Sequence, residues 1–219
     1  KKFKKDLSNT TIDPIQLSKI LNNLKKQNIN NVIMEASSHG LYQNRLDGLS
    51  FNTGIFTNLS QDHLDYHKNR KNYLKAKLYL FEKLIKKDGN IITDEKIPEF
   101  KKIKNIASKK DLHLFSLLDK KNNFQFLSHR YEDETQLLEI KFNNSIHKIK
   151  LNLIGKVQLK NILMAVISAM KSNINIKDIF NVIPKIKSVE GRFDRVGIIK
   201  NNSKVILDYA HTPDALKTC

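Results

Sequence analysis

Cysteine is almost absent. The 219-residue chain holds one, Cys219, so no disulfide can form within it, and the pattern suits a reducing, cytoplasmic compartment. Long apolar runs are missing too. No stretch approaches the ~18 consecutive apolar residues of a membrane span, and no signal-peptide pattern opens the chain. Neither a membrane-spanning nor a secreted protein is expected. Arginine is scarce: of 39 basic residues only Arg45, Arg70, Arg130, Arg192 and Arg195 carry a guanidinium. A dedicated reader of phosphates or bases relies on that planar fork. The formal net charge of +17 therefore reads as a lysine-rich solvated surface spread along the chain, and no nucleic-acid partner is expected. The Gly-x-x-x-x-Gly-Lys-[Ser/Thr] loop that cradles phosphates is also missing. Gly155-Lys156 is followed by Val157 and has no glycine five residues earlier.

What is present is enough apolar content, 40%, for a real core. Residues 14–27 carry Ile15, Leu17, Ile20, Leu21 and Leu24 at helical spacing behind Pro14. Val32-Ile33-Met34 reads as a short buried strand that ends at Glu35 and a polar loop. Phe51 to Leu59 reads as a second strand, 60–68 as a polar loop, and 70–87 as an amphipathic helix stopping at Gly89. Ile91-Ile92-Thr93 is a third strand. Leu112–Leu117, Phe124–His129, Leu137–Phe142 and Ile146–Leu153 alternate like a β-rich meander. Helices are predicted at 156–171 and 176–186, and a last strand at Val205–Leu207. Thr212-Pro213 reads as an N-cap and first helical residue. Strands alternating with helices imply a layered α/β fold, with ligand loops at the carboxyl ends of the strands. The chain opens on Lys1 and closes inside a helix that has barely begun, so both ends read as cuts and the chain as an interior fragment.

Four features bear on chemistry. Glu35, where a strand is expected to end, can reach a metal or phosphate; the alternative is a solvated acid. Asp62-His63-Leu64-Asp65-Tyr66-His67 packs four potential metal ligands into a rim loop. Its carboxylates suit Mg²⁺ and its imidazoles Zn²⁺, the latter only if the segment is helical; a polar loop with capping aspartates is the plainer reading. Lys77 is out of place. Tyr73, Leu74, Leu80, Phe81, Leu84 and Ile85 fall within about 80° of it on a helical wheel, whereas Lys71, Lys75, Lys83 and Lys86 lie opposite. A buried ammonium is costly unless it is paired or modified; otherwise its head snorkels to water. Ser37-Ser38-His39-Gly40 with Gln43 and Arg45 suits an anionic, hydroxyl-rich ligand better than a catalytic serine, because no nucleophile elbow is present.

These motifs together carry a resemblance. MEASSHGLYQNRLDG (34–48), FTNLSQDHLDYHKNRKNYLKAK (56–77), GKVQLKN (155–161), EGRFDRV (190–196) and LDYAHTPDAL (207–216) resemble the Mur ligases. Within that family, SSHGL-x-Q-x-R with TNLS-x-DHLDYH resembles the members that add the third amino acid to the UDP-MurNAc peptide precursor. The resemblance implies a central, P-loop-ATPase-like α/β domain with a β-rich portion over residues 1–191, lacking its first strand. It implies the start of a Rossmann-like C-terminal domain over 192–219. The phosphate-cradling loop is expected upstream of Lys1, and the isolated fragment is expected to be inactive.

The implied reaction joins UDP-MurNAc-L-Ala-D-Glu to meso-diaminopimelate or lysine at the expense of ATP, through an acyl phosphate, in a monomeric cytoplasmic enzyme of peptidoglycan synthesis. Family roles carry over residue by residue. Glu35 and His63 match Mg²⁺ ligands. Lys77 matches the lysine that reacts with CO₂ to give N-carboxylysine, which helps bind a second Mg²⁺. Thr10, Thr11, Ser37, Gln43 and Arg45 match contacts to the UDP-MurNAc-dipeptide. Asn161, Arg192, Asp208 and His211 match positions around the nucleotide. Gln158 departs from the family's asparagine. Other readings are another Mur ligase or a folylpolyglutamate synthetase-like ligase, a His/Asp metal-dependent hydrolase on the 62–67 cluster, and a basic nucleic-acid module.

Overall fold

The computed structural model describes residues 9–118, 123–132 and 135–219. In chain order the elements are α1 (Pro14–Lys26), α2 (Ser38–Tyr42), β1 (Phe51–Phe56), α3 (Leu64–His67), α4 (Arg70–Tyr79), β2 (Ile85–Thr93) and α5 (Phe100–Lys109). There follow β3 (His113–Ser116), β4 (Phe124–Glu132), β5 (Thr135–Phe142), β6 (Ser145–Leu151), α6 (Lys156–Lys171), α7 (Ile176–Val182), β7 (Asp194–Ile199), β8 (Ser203–Leu207) and α8 (Pro213–Thr218). The expected mixed α/β layering is what the chain adopts. It divides into two compact units. One takes 9–52 of the described residues with His63–Gly89; the other takes Thr53–Asp62 and the described residues from Asn90 to Cys219.

In the first unit, α1 starts where the sequence says it should. Pro14 occupies the first turn, and Asp13 Oδ1 accepts from the Ile15 and Gln16 amides at 2.9 and 3.3 Å. Lys25 and Lys26 sit at the negative end of the helix dipole. Only Leu17 of its apolar residues is fully buried, and Ile15 is exposed.

The helix expected over 70–87 is shorter. Asn69 caps the amide of Asn72, α4 runs to Tyr79, and a π-helical turn, Leu80–Leu84, follows. Strand β2 then begins at Ile85, before Gly89. The apolar stripe misled because it runs unbroken from Tyr73 and Leu74 through Leu80, Phe81 and Leu84, all buried, across the change of backbone.

The strand expected at Val32–Met34 is not formed. Residues 29–37 are neither helix nor strand, Ile33 is fully exposed and Val32 nearly half so. A strand exists only through hydrogen bonds to a neighbour, and none of the described residues pairs with this run. Glu35 accordingly stands in an irregular segment and not at a strand's carboxyl end.

In the second unit, the Thr53–Phe56 part of β1, the Asn90–Thr93 part of β2, and β3 lie in that order in one sheet. β2 and β3 run parallel, from Asn90 opposite His113 to Thr93 opposite Ser116. Parallel neighbours need a crossover, and α5 supplies it with Ile103 and Ala107 turned inward. The Thr93 hydroxyl donates to the Phe56 carbonyl at 2.8 Å. Just beyond β2, the buried carboxylate of Asp94 meets Lys160 Nζ at 2.6 Å.

The expected β meander is present as the antiparallel sheet β4-β5-β6. Along β5, Gln136, Leu138 and Ile140 share the buried face at the period of two that a pleated strand imposes. Leu138 and Ile140 pack in one core with Leu151, Leu163, Met164 and Ile167, the last three from α6. Each such aliphatic side chain contributes roughly 1.5–3 kcal/mol by leaving water. The helices expected at 156–171 and 176–186 are α6 and α7, the latter finished by a 3₁₀ turn, Ile183–Lys185. β8 pairs with β7 in an antiparallel hairpin, and Thr212 caps α8 as anticipated. Among the described residues no helix is long and apolar enough to cross a membrane.

Candidate active site

In the first unit, the polar residues after Glu35 are organised around one buried hydroxyl. Thr11 Oγ1 donates to the Glu35 carbonyl at 2.9 Å and accepts from the Ser37 amide at 2.8 Å. It therefore fixes the backbone on both sides of residue 36. Gly40 is required beside it, because a Cβ there would stand 2.6 Å from the Thr11 side chain. Ser37 caps α2 by accepting from the Gly40 amide at 3.1 Å. At the other end of α2, Arg45 Nη1 donates to the Thr11 carbonyl at 2.7 Å and Nε donates to Gln43 Oε1 at 2.8 Å. Gln43 Nε2 in turn donates to the Tyr66 hydroxyl at 2.8 Å. Thr11, Glu35, Ser37, Gln43 and Arg45 are thus one connected group. Thr10, beside them in sequence, is exposed, as is the Glu35 side chain.

The 62–67 cluster does not act as four equivalent ligands. His63 precedes α3 in a left-handed conformation, φ 55°, without a side-chain capping bond, and is exposed. His67 turns inward. It is 3% exposed, its Nε2 lies 3.0 Å from Ser38 Oγ, and its ring stacks on Tyr73 at 5.1 Å and 18°. Burial, then the neighbouring His39 and His63, hold the His67 pKa below the usual histidine value, against a smaller opposing pull from Asp65. The segment is helical, as zinc at His63 and His67 would require, yet no group of three or more His, Cys, Asp or Glu among the described residues is placed to hold a metal.

Lys77 is half-buried, on the side of α4 that carries the buried Tyr73 and Leu74, and its Nζ lies 5.4 Å from the centre of the Tyr73 ring. The lysines expected on the far side, Lys71, Lys75, Lys83 and Lys86, are all exposed.

In the second unit, Asn161 is exposed on the early part of α6. Gln158 Nε2 donates to the Arg192 carbonyl at 3.1 Å, so the longer amide ties the start of α6 to the segment before β7. The Arg192 guanidinium lies 5.0 Å from the centre of the Tyr209 ring, and His211 Nδ1 is 2.8 Å from the Tyr209 carbonyl. Asp208 accepts from the Phe193 and Ala210 amides, each at 2.8 Å. Burial pushes the Asp208 carboxyl up, but the two amides, the Cys219 thiol and the Arg192 charge together outweigh it and hold the group below the usual carboxylate range. Arg192, Asp208 and His211 are therefore brought together, with Tyr209 as an aromatic centre that sequence reasoning did not single out. The joint structural role of Ser38, Tyr66, His67 and Tyr73 was not legible, although Ser38 lay in the polar ligand cluster, His67 among the potential metal ligands and Tyr73 in the apolar stripe.

The profile of the Mur ligase middle domain matches residues 2–169. The chain belongs to the Mur ligase family. It is 37% identical over 208 residues to the UDP-N-acetylmuramoyl-L-alanyl-D-glutamate--2,6-diaminopimelate ligase of Rickettsia bellii (strain RML369-C), covering 95% of this chain and 43% of that one. The ligase of the same name from Zymomonas mobilis is 35% identical over 211 residues, 96% of this chain and 43% of the relative. A solved structure of a ligase with that name superposes with a TM-score of 0.76 at 26% identity, over 94% of this chain and 43% of that one. The chain thus spans under half the length of these relatives.

Proposed function

We propose that this chain is the central part of an ATP-dependent ligase that adds diaminopimelate to UDP-MurNAc-L-Ala-D-Glu in cytoplasmic peptidoglycan synthesis, and so serves cell-wall growth, shape and division. The observation that carries this is the connected group of Thr11, Glu35, Ser37, Gln43 and Arg45 around α2. The names of the relatives supply the substrate and the diamino acid. Residues 1–191 would be the central domain and 192–219 the start of the next, with the protein acting as a monomer.

In this reading, Thr10, Thr11, Ser37, Gln43 and Arg45 receive the UDP-MurNAc-dipeptide. Thr11 contributes through its fixed backbone, since its hydroxyl is already engaged twice. Asn161, Arg192, Asp208 and His211 serve the nucleotide. Glu35 and His63 are exposed donors that can reach Mg²⁺ while leaving room for the several waters it prefers to keep. Half-buried Lys77, beside Tyr73, stands at the position the resemblance gives to the modified lysine, and conversion to N-carboxylysine would give a further anionic donor.

The D-Glu side-chain carboxylate attacks the γ-phosphorus of ATP, the bond to the β-phosphate bridging oxygen breaks, and ADP leaves. The amine of diaminopimelate then adds to the acyl phosphate, loses a proton, and expels inorganic phosphate as the amide forms. Mg²⁺ when bound neutralises the phosphate charge that otherwise repels the attacking carboxylate. The chain's own share is positioning. Arg45 presents a guanidinium held in a fixed orientation by Thr11 and Gln43, which favours one pose of the anionic substrate.

The test is precursor binding by calorimetry to the full-length gene product and to its Arg45→Ala form. Binding of UDP-MurNAc-L-Ala-D-Glu that is weakened by the substitution supports the reading; absence of binding to the unsubstituted protein refutes it.

A further inference from the structure

The helix that carries the candidate substrate contacts is too short to hold itself. α2 has five residues, and a single turn fixes more backbone freedom than its few hydrogen bonds repay. Yet Ser37 is its N-cap and Gln43 its C-cap, so contacts to the substrate depend on its being held still.

Two consecutive side chains of α3 reach its opposite ends. His67 Nε2 lies 3.0 Å from the hydroxyl of Ser38, in the first turn, with both side chains buried. The Tyr66 hydroxyl accepts from Gln43 Nε2 at 2.8 Å, and Gln43 passes the constraint to Arg45 through its other amide atom. The Tyr66 ring also rests on His39, 4.1 Å between centres. α3 is itself one turn, but it is anchored to α4, because His67 stacks on Tyr73.

We propose that α3 is a clamp in which Tyr66 and His67 are positioning residues, holding the two ends of α2 so that Ser37, Gln43 and Arg45 meet the substrate in one geometry. The inference rests on the functional reading above, in which those three residues receive the UDP-linked dipeptide. Neither Tyr66 nor His67 need touch the ligand. Their task is to remove the disorder that binding would otherwise have to remove. His63 stands at the N-terminal end of the same turn, so the candidate metal donor is next to the clamp in sequence.

The experiment uses the full-length gene product and UDP-MurNAc-L-Ala-D-Glu. Tyr66→Phe keeps the ring and removes only the hydroxyl; Ser38→Ala removes only the other bond. Each should raise the dissociation constant for the precursor about threefold to tenfold, the weight of one hydrogen bond, while the KM for ATP and kcat at saturating precursor stay within twofold. His67→Gln, whose amide can reach the Ser38 hydroxyl, should bind more tightly than His67→Leu. Precursor affinity unchanged in both Tyr66→Phe and Ser38→Ala overturns the clamp. So does a parallel rise in the KM for ATP, which marks general loosening. Failure of the unsubstituted protein to bind the precursor overturns the functional reading itself, and the clamp with it.

Discussion

Nε2 of His67 stands 3.0 Å from the Ser38 hydroxyl, both side chains are buried, and the other ring nitrogen of His67 meets no hydrogen-bond partner among the described residues. A second proton on that ring would be buried without an acceptor, and burial, then His39 and His63, hold its pKa below the usual histidine value, with Asp65 opposing.

That lowering has a pH signature. The unfolded chain protonates this histidine near ~6.5, the folded chain only at lower pH. Between the two the unfolded state binds more protons, so stability is complete above ~6.5 and is lost as pH falls through the folded value. Melting temperatures measured from pH 7.5 to 5.5 should fall with acid, and His67→Gln should make the fall shallower. An unchanged slope in the variant would contradict the assignment.

Gly40→Ala should destabilise the first unit. The new methyl would stand 2.6 Å from the Thr11 Cβ and Cγ2 and 2.9 Å from its hydroxyl, so Thr11 must move and its two hydrogen bonds must stretch. Overpacking of this kind costs about 1–3 kcal/mol. Urea denaturation that finds no loss would show that the 35–40 segment is looser than described.

Substituting Arg45 by Ala should weaken precursor binding by about 1.5–3 kcal/mol, the worth of a charge-assisted hydrogen bond, and leave ATP binding nearly intact. Steady-state KM values for the two substrates separate these. A rise confined to ATP would place Arg45 with the nucleotide.

Lys77→Ala should nearly abolish turnover with a modest loss of stability, since the side chain is only half-buried and its Nζ lies 5.4 Å from the centre of the Tyr73 ring. High bicarbonate or a short-chain carboxylate should partly restore activity by returning an anion to the position. Near-normal turnover after substitution, with no rescue, would leave Lys77 as an ordinary snorkelling lysine.

The parts of the fold legible in the sequence are those whose pattern is local. α6 spans its predicted residues because its apolar positions repeat at helical spacing over sixteen residues. The β meander was visible from alternation along β5. α5 was not, because its inward stripe is only Ile103 and Ala107 among lysines. Val32–Met34 has strand composition but no neighbour to pair with among the described residues, and composition cannot supply one. The candidate site was legible as a set of motifs, so Glu35, Ser37, Gln43 and Arg45 could be named. That His67 turns inward to Ser38 while His63 faces water is decided by packing against Tyr73, which no spacing rule within six residues reveals.

The most direct test is to supply the full-length gene product with UDP-MurNAc-L-Ala-D-Glu, ATP, Mg²⁺ and meso-diaminopimelate, and to follow the UDP-linked product by mass spectrometry alongside phosphate release. One tripeptide precursor should form per phosphate released, with neither formed when the diamino acid or ATP is withheld. ATP consumed without a new amide, or an amide formed with a different acceptor and not with diaminopimelate, would contradict the proposed function.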